Sequence, residues 1–174
     1  MAQKISEVQF QLTERLAGIR WVRKENLHLT VKFLGAVEEA KIASIMSALK
    51  QALRAVPAFS MAAAGLGVFP DIRRARVLWV RLHGDALGSL AAAVEAALES
   101  VGFARDKRDF SPHLTIGRWR SFGGGSAELG QEMEHWKDYS FGECRVEEAI
   151  LFESVLKQEG TDYSPLGVIS LCGG

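Results

Sequence analysis

Four histidines occur in this chain of 174 residues, and two of them lie in closely similar surroundings. His28 lies in the segment NLHLTVKFLG, and His113 lies in the segment SPHLTIGRWR. In each segment a threonine follows the histidine by two positions, as Thr30 and Thr115. A single histidine on a strand is most often a packed or solvent-facing ring, but the same pattern in two places indicates a shared role.

Two imidazoles and two hydroxyl groups suit the chemistry of phosphate esters. One histidine can take a proton from an attacking water while the other gives a proton to the leaving oxygen, and the threonine hydroxyls can bond the phosphate oxygens. Histidine suits both tasks because both of its protonation states are populated near pH 7. This design requires no metal ion and no organic cofactor, so we expect neither.

Both histidine segments are typical of β-strands, because apolar and polar residues alternate along them. In the first segment, alternation places His28 and Thr30 on one face. The apolar residues of that segment share the other face, which we expect to pack: Leu27, Leu29, Val31 and Phe33. The second segment repeats this arrangement, so two similar lobes would bring both histidine and threonine faces onto one cleft.

Hydrophobic periodicity divides the rest of the chain into helices and strands. Apolar residues at helical spacing predict helices at about 3–17, 38–54, 87–98 and 127–138. Strands are predicted at 27–34, 59–69, 75–82, from 113 onward, at 145–156 and at 164–171. Turns are predicted at the glycine-rich residues 122–126 and at residues 157–162.

The two halves of the chain share an order of helix, His-Leu-Thr strand, helix and long strand, which indicates an internal duplication. We therefore predict a single α+β domain over residues 1–174, with two pseudo-symmetric lobes of about 1–70 and 71–174. Each lobe would hold antiparallel β-sheet with flanking helices, around a central cleft. A strand precedes the first helix of the second half but not that of the first half. The first lobe is thus expected to lack its N-terminal strand, and to be irregular or to take a strand from elsewhere.

The two histidine segments, together with GLGVFP and VLWV between them, resemble the 2H phosphoesterase superfamily. Within it they are most similar to the RNA 2′,3′-cyclic phosphodiesterases first described as 2′-5′ RNA ligases. The resemblance runs from about residue 20 to the carboxyl terminus. It implies a bilobal fold and metal-independent hydrolysis of a 2′,3′-cyclic phosphate on RNA ends or nucleotides to a 2′-phosphomonoester. It also implies that a cyclic phosphate can be joined to a 5′-hydroxyl in a 2′-5′ linkage without a nucleotide cofactor.

The resemblance also implies roles for the residues of both motifs. His28 would be the proton donor and His113 the acceptor that activates water, an assignment that the symmetry of the sequence cannot decide. Thr30 and Thr115 would contact phosphate oxygens.

Two further residues are candidates for substrate binding. Arg118 lies where the family has an arginine that contacts phosphate, but strand alternation points it away from His113 unless a bulge intervenes. A solvated sheet edge at Arg118 and Arg120 is the alternative. Phe69 follows the Gly-Leu-Gly turn and is a candidate for stacking on a terminal base, or equally a core aromatic at a strand end.

Three other functions are weighed against the cyclic phosphodiesterase. A catalytically weak RNA or nucleotide-binding module would keep the same cleft without turnover. The same chemistry could act on another substrate, such as a cyclic phosphate of ADP-ribose or a small nucleotide. A zinc site built from the four histidines and Cys144 lacks the usual ligand spacing. The two remaining histidines, His83 and His135, are expected on the surface.

Composition favours a soluble, cytoplasmic protein, and we expect a monomer although the sequence does not determine the oligomeric state. The chain has no run of eighteen or more apolar residues, no secretory signal, and only two cysteines, which form no C-x-x-C pair. Its net charge is zero, but residues 127–162 hold ten acids against three bases. The remainder is therefore basic, around the second histidine segment above all. A local basic surface suits a phosphate-bearing ligand, whereas a protein that coats long nucleic acid is usually basic overall.

Overall fold

The computed structural model describes residues 1–120, 127–157 and 160–173, and its chain forms two compact units. Unit 1 comprises Met1–Thr30, Met61–Gly84 and Ser111–Cys144. Unit 2 comprises Val31–Ser60, Asp85–Phe110 and Arg145–Gly174. The units therefore do not follow the predicted division at about residue 70. Each unit contains segments from both halves of the chain: each half contributes one helix to unit 1 and one helix to unit 2.

Unit 1 is built on one five-stranded sheet with strand order β1-β4-β3-β2-β5. Neighbouring strands pair antiparallel from β1 through β4 and β3 to β2. The elements of this unit are α1 (Ala2–Thr13), β1 (Ile19–Trp21), β2 (Phe59–Phe69), β3 (Val77–His83), β4 (His113–Trp119), α4 (Ala127–His135) and β5 (Ser140–Val146). The first two residues of β2 and the last two of β5 belong to unit 2.

Unit 2 packs two helices with an antiparallel hairpin of two strands. These elements are α2 (Ile42–Leu53), α3 (Asp85–Glu99), β6 (Glu148–Lys157) and β7 (Gly160–Ser170). Its core is formed by Ile45, Leu49, Leu53, Leu90, Val94, Ala97, Leu98, Ile169 and Leu171. The α+β class with antiparallel sheets is thus confirmed, while the single domain, the central cleft and the missing first strand stay predictions.

The periodic segments form the elements that they predict. In α1 the buried residues Ile5, Val8 and Leu12 recur at helical spacing, and in β3 Leu78 and Val80 alternate with partly exposed residues. Burying such a side chain contributes roughly 1.5–3 kcal/mol, which is why these positions determine the element. The helices of the second half and the strands at 59–69 and 75–82 are likewise confirmed, although α4 ends at residue 135.

The predicted strand at 27–34 is wrong. A 3₁₀ turn at Lys24–Asn26 precedes it, and the segment makes a single bridge, between Leu29 and Leu114. A strand needs a hydrogen-bonding neighbour along its length, and β4 supplies one only at this point. Phe33, which was expected to pack, is 76% exposed.

Other boundaries also differ from the prediction. The sequence analysis did not predict β1, and it did not predict that β5 begins at residue 140. The β6–β7 pairing extends to Lys157 and Gly160, so the predicted turn at 157–162 is largely strand where the structure describes it. The glycine-rich turn at 122–126 lies outside the described residues. Among the residues that the structure describes, no helix combines the length and the apolar character needed to cross a bilayer.

A buried ion pair in unit 2 holds the chain two residues after Thr30, the threonine of the first histidine motif. The Lys32 side chain is only 4% exposed, and its Nζ donates to both carboxylate oxygens of Glu95 at 2.7 Å. It also donates to the Ala104 carbonyl at 2.9 Å and lies 3.6 Å from a carboxylate oxygen of Asp106. With this many partners the ammonium group is fully compensated, and removing Lys32 would leave the largely buried Glu95 carboxylate without its cation.

We therefore expect Lys32→Ala to lower the free energy of unfolding by about 3–5 kcal/mol. The matched control is Arg105→Ala, because the Arg105–Glu99 pair is exposed on both sides and should contribute under about 1 kcal/mol. Urea denaturation of the two variants tests this difference. Equal midpoints for the two variants would contradict the structural importance of the Lys32 pair.

Candidate active site

The two histidine motifs meet beside each other in unit 1. Leu29 and Leu114 form an antiparallel bridge, so the neighbouring residues on each side are also opposed. His28 therefore lies across from Thr115, and Thr30 lies across from His113. Directly opposed residues in such a pair have Cβ atoms about 4.5–5.5 Å apart, and diagonal ones about 7–8 Å. The two imidazoles thus start from positions that a single phosphate group can span.

The four polar residues of the motifs share one face. Side chains alternate along paired strands, so His28, Thr30, His113 and Thr115 lie on the face opposite to the buried Leu114. We call this side of the unit 1 sheet the histidine face. All four residues are half-buried there. The bridge thus gives the two motifs an approximate two-fold arrangement around one point.

Both imidazole rings are held by the same hydrogen bond. Nδ1 of His28 lies 2.8 Å from the carbonyl oxygen of Asn26, and Nδ1 of His113 lies 2.7 Å from that of Ser111. A carbonyl oxygen can only accept, so Nδ1 carries the hydrogen in each ring. This leaves Nε2 as the ring nitrogen without the hydrogen in the neutral form of each histidine.

Aromatic rings pack directly against His113. The Phe69 ring lies edge-on to the imidazole with centroids 5.0 Å apart, and the Trp79 ring lies 6.1 Å away. Phe69 and Trp79 also contact each other at 5.0 Å. Phe69 is thus beside the candidate proton acceptor, as its place in the predicted site requires, while base stacking by its ring stays a prediction.

Sequence reasoning did not single out Trp79 as a site residue. Its ring lies across Gly67 of the neighbouring strand, where an added Cβ would come within 2.2 Å of the indole. Among the residues described by the structure, no group accepts a hydrogen bond from its buried Nε1. Alternation along β3 separates Trp79 from the buried Leu78 and Val80, and this signal could have indicated its face. The structure adds that Trp79 lies opposite Thr115.

Arg118 lies on the histidine face because β4 contains a bulge. The register of β4 against β3 shifts between Thr115 and Gly117, which makes Ile116 an extra residue. One extra residue reverses the alternation beyond it, so Arg118 returns to the face of Thr115. Arg118 pairs with Val77 and Thr115 pairs with Trp79, and Val77 and Trp79 lie on the same face of β3. The bulge that Arg118 requires is therefore present.

A buried glutamine from α1 holds this bulge. Gln9 is only 8% exposed, and its Nε2 donates to the carbonyl oxygens of Ile116 at 2.8 Å and Val22 at 2.9 Å. The Ile116 carbonyl also accepts from the backbone N–H of Val22 at 2.9 Å. The carbonyl of the extra residue in the bulge thus has two donors. Gln9 lies four residues after Ile5 and three before Leu12, so helical spacing places it on the buried face of α1, but the spacing gives no signal for its hydrogen-bond partners.

The histidine face is basic. Arg81 lies opposite His113 with its guanidinium 5.8 Å from the Trp79 ring centroid, and Arg20 on β1 lies opposite Arg118. The β1, β3 and β4 residues that the register assigns to this face include no aspartate or glutamate. Such a surface attracts anions, and guanidinium groups match the geometry of phosphate oxygens.

The remaining histidines and the cysteines lie outside both motifs. His83 ends β3 two positions after Arg81, so strand alternation places it toward the histidine face. His83 and His135 are exposed, as predicted. Cys144 and Cys172 are free thiols, and burial raises the pKa of Cys144, which keeps it protonated near neutral pH. Within the described parts of the chain, no three histidine, cysteine or acidic side chains are grouped closely enough to hold a metal ion.

Known proteins similar to this chain identify its family. The family model described as LigT like Phosphoesterase matches residues 1–79. An RNA 2′,3′-cyclic phosphodiesterase from Methanocaldococcus jannaschii is 34% identical over 155 residues, which cover 89% of this chain and 86% of that protein. The chain belongs to the LigT-like phosphoesterase family. An RNA 2′,3′-cyclic phosphodiesterase from Archaeoglobus fulgidus is 35% identical over 88% of this chain and 84% of its own length.

Two solved structures share the fold of this chain. A crystal structure of a Thermus thermophilus protein superposes with a TM-score of 0.84 at 24% identity, covering 99% of this chain and 92% of the other. Escherichia coli LigT, crystallised with 3′-AMP, superposes with a TM-score of 0.75 at 24% identity, over 98% of this chain and 92% of its own. The resemblance inferred from the two histidine segments is thus confirmed as membership of the LigT-like phosphoesterase family.

Replacement of Gln9 tests how the bulge is held. We expect Gln9→Leu to lower the free energy of unfolding by about 1–3 kcal/mol, because it removes the side-chain donor to the part-buried Val22 carbonyl and one of the two donors to the buried Ile116 carbonyl. The matched control is Gln3→Leu on the same helix, where the amide is exposed and bonds only Glu7, and its effect should stay within about 0.5 kcal/mol. Thermal denaturation measures both. A Gln9 variant as stable as the Gln3 variant would contradict the role of this amide.

Proposed function

We propose that the protein hydrolyses 2′,3′-cyclic phosphate at the ends of RNA to a 2′-phosphomonoester, with two histidines as acid and base. One observation carries the proposal: the antiparallel bridge between Leu29 and Leu114, which opposes the two His-x-Thr motifs on one face. The named activity of the relatives, RNA 2′,3′-cyclic phosphodiesterase, agrees with the chemistry that this arrangement supports.

In the proposed reaction, proton transfer at the two Nε2 atoms accompanies attack on phosphorus. His113 takes a proton from water as the water oxygen bonds to phosphorus. The bond between phosphorus and the 3′ oxygen breaks, and His28 gives its proton to that oxygen. One proton is taken and one is given, so the product is a 2′-phosphate beside a free 3′-hydroxyl.

Other side chains of the histidine face would stabilise the charge that develops on the phosphate oxygens. The hydroxyls of Thr30 and Thr115 lie across from the two histidines and can each donate a hydrogen bond. Arg118 adds a cationic, planar donor on the same face. Because Thr115 and Arg118 are held on β4 and Thr30 follows the Leu29–Leu114 bridge, these donors need little reorganisation during the reaction.

The division of labour between the histidines follows the family motif, with His28 as donor and His113 as acceptor. Their hydrogen bonds are alike, so the geometry is equally compatible with the reverse assignment. If a 5′-hydroxyl replaces water, the same proton transfers join two RNA ends in a 2′-5′ linkage. A monomeric state and a cytoplasmic location stay predictions.

The activity is tested with an oligoribonucleotide that ends in a 2′,3′-cyclic phosphate. Incubation with the pure protein in EDTA should convert the cyclic end to a 2′-phosphate, because neither proton transfer needs a metal ion. Chromatography against 2′- and 3′-phosphate standards identifies the product. A 3′-phosphate would reverse the proposed leaving group, and binding without turnover would favour the alternative of a nucleotide-binding module.

Replacement of each motif histidine tests the acid and base. We expect His28→Ala and His113→Ala each to lower kcat by about two to four orders of magnitude, since each removes a proton-transfer group. The matched control is His135→Ala, because His135 is an exposed histidine on α4 outside both motifs and should leave kcat unchanged. Near-normal turnover in either motif variant would remove that histidine from the mechanism.

A further inference from the structure

Arg20 is directly opposed to Arg118 across the β1–β4 pair. Opposed residues of an antiparallel pair point to the same side of the sheet, so Arg20 also lies on the histidine face. Both arginines are exposed. The neighbours of Arg20 on β1, Ile19 and Trp21, point to the opposite side, where both pack over Gly117. Two arginine side chains thus start from opposed positions on the face that carries the histidines.

Buried groups fix this arrangement. The bulge at Ile116 puts Arg118 on the histidine face, and the buried Gln9 amide holds the bulge. The β1 segment is fastened to β4 on both sides of Arg20, by the Val22 N–H donating to the Ile116 carbonyl at 2.9 Å and by Trp119 Nε1 donating to the Ala17 carbonyl at 3.2 Å. The two arginines are therefore set on a rigid backbone rather than on a loop.

Like charges that are directly opposed across a strand pair repel each other. A phosphate group that accepts hydrogen bonds from both guanidinium groups converts this repulsion into attraction, and arginine binds phosphate in a bidentate manner. The chemistry of the pair thus fits a phosphate group.

The position of the pair indicates which phosphate it fits. Arg118 follows Thr115 by three residues that include the bulge, a span of at most about 10 Å at 3.3 Å per residue. Arg118 can therefore reach toward the cyclic phosphate. The Leu29 bridge lies on the side of β4 that β1 also occupies, because β3 pairs with the other side, so Arg20 is in line with His28 and about three residue positions away along the sheet. An RNA chain that leaves the histidines along this side would bring its next phosphate to Arg20.

We propose that Arg20, beside Arg118, binds the phosphodiester that joins the terminal nucleotide to the rest of the RNA chain. The inference rests on the proposed function and deepens it: the site recognises the end of an RNA chain in preference to a cyclic mononucleotide. Arg20 is then a specificity-determining residue that takes no part in proton transfer.

Three substrates distinguish a contact between Arg20 and the phosphodiester from an effect of the substitution on every substrate. They are adenosine 2′,3′-cyclic phosphate, the adenosine dinucleotide that ends in the same cyclic phosphate, and the same dinucleotide with an uncharged methylphosphonate linkage. We expect Arg20→Ala to raise KM for the charged dinucleotide roughly tenfold or more, with little change in kcat, because a hydrogen bond to a charged group is lost. KM for the other two substrates should not change.

Two variants serve as controls. Arg20→Lys keeps the charge and should recover part of the lost affinity for the charged dinucleotide. Arg54→Ala removes an exposed arginine that follows α2 in unit 2, and it should leave all three KM values unchanged. Thermal denaturation of each variant confirms that it folds.

Two outcomes would overturn the inference: an Arg20→Ala effect of equal size on all three substrates, or no effect on the charged dinucleotide. If the unmodified protein hydrolyses none of them, the proposed function fails separately. The subsite is then judged by equilibrium binding of the dinucleotide with a 2′-phosphate end and of its methylphosphonate analogue, which needs no turnover. A preference for the charged form that is lost in Arg20→Ala would support it, and no such preference would overturn it.

Discussion

The antiparallel bridge between Leu29 and Leu114 is the contact on which the site depends. It is a single pair, yet it determines which side of the sheet both motifs face. The residues on either side of Leu29 and Leu114 point to the side opposite to the two leucines. A slip of one residue would turn one histidine toward the buried side of the sheet and leave the other alone. The two leucines thus place one motif against the other, although neither takes part in any chemistry.

The bulge at Ile116 is the complementary departure from this rule. Regular pairing would keep His113 and Arg118 on opposite faces, and an extra residue brings both to one face. A bulge leaves backbone groups outside the ladder, and the buried amide of Gln9 joins the Val22 N–H in donating to the Ile116 carbonyl. Helix α1 thereby contributes to the site without any side chain on the histidine face. Irregular backbone of this kind is frequent beside active sites, where it redirects a side chain.

Sequence alone predicted the parts of the molecule that are encoded locally. The spacing of histidine and threonine identified both motifs, and the buried periodicity of α1 and β3 located those elements. The alternation at 27–34 was misleading, because a strand needs a hydrogen-bonding partner along its whole length. This segment pairs with another strand only through the bridge between Leu29 and Leu114. Strand β1 is too short to show a period. Each unit is assembled from three separate stretches of the chain, and the Gln9 side chain bonds residues far from it in sequence. Such contacts between distant segments leave no pattern in the sequence.

The hydrogen bonds that orient His28 and His113 are both accepted by backbone carbonyls, those of Asn26 and Ser111. Every amino acid offers such an oxygen, so ring orientation is encoded in chain geometry and is independent of side-chain identity at these two positions. Homologous proteins can therefore exchange these residues freely while keeping the same tautomer in both rings. An enzyme whose histidines were oriented by carboxylates would have to preserve two more residue types.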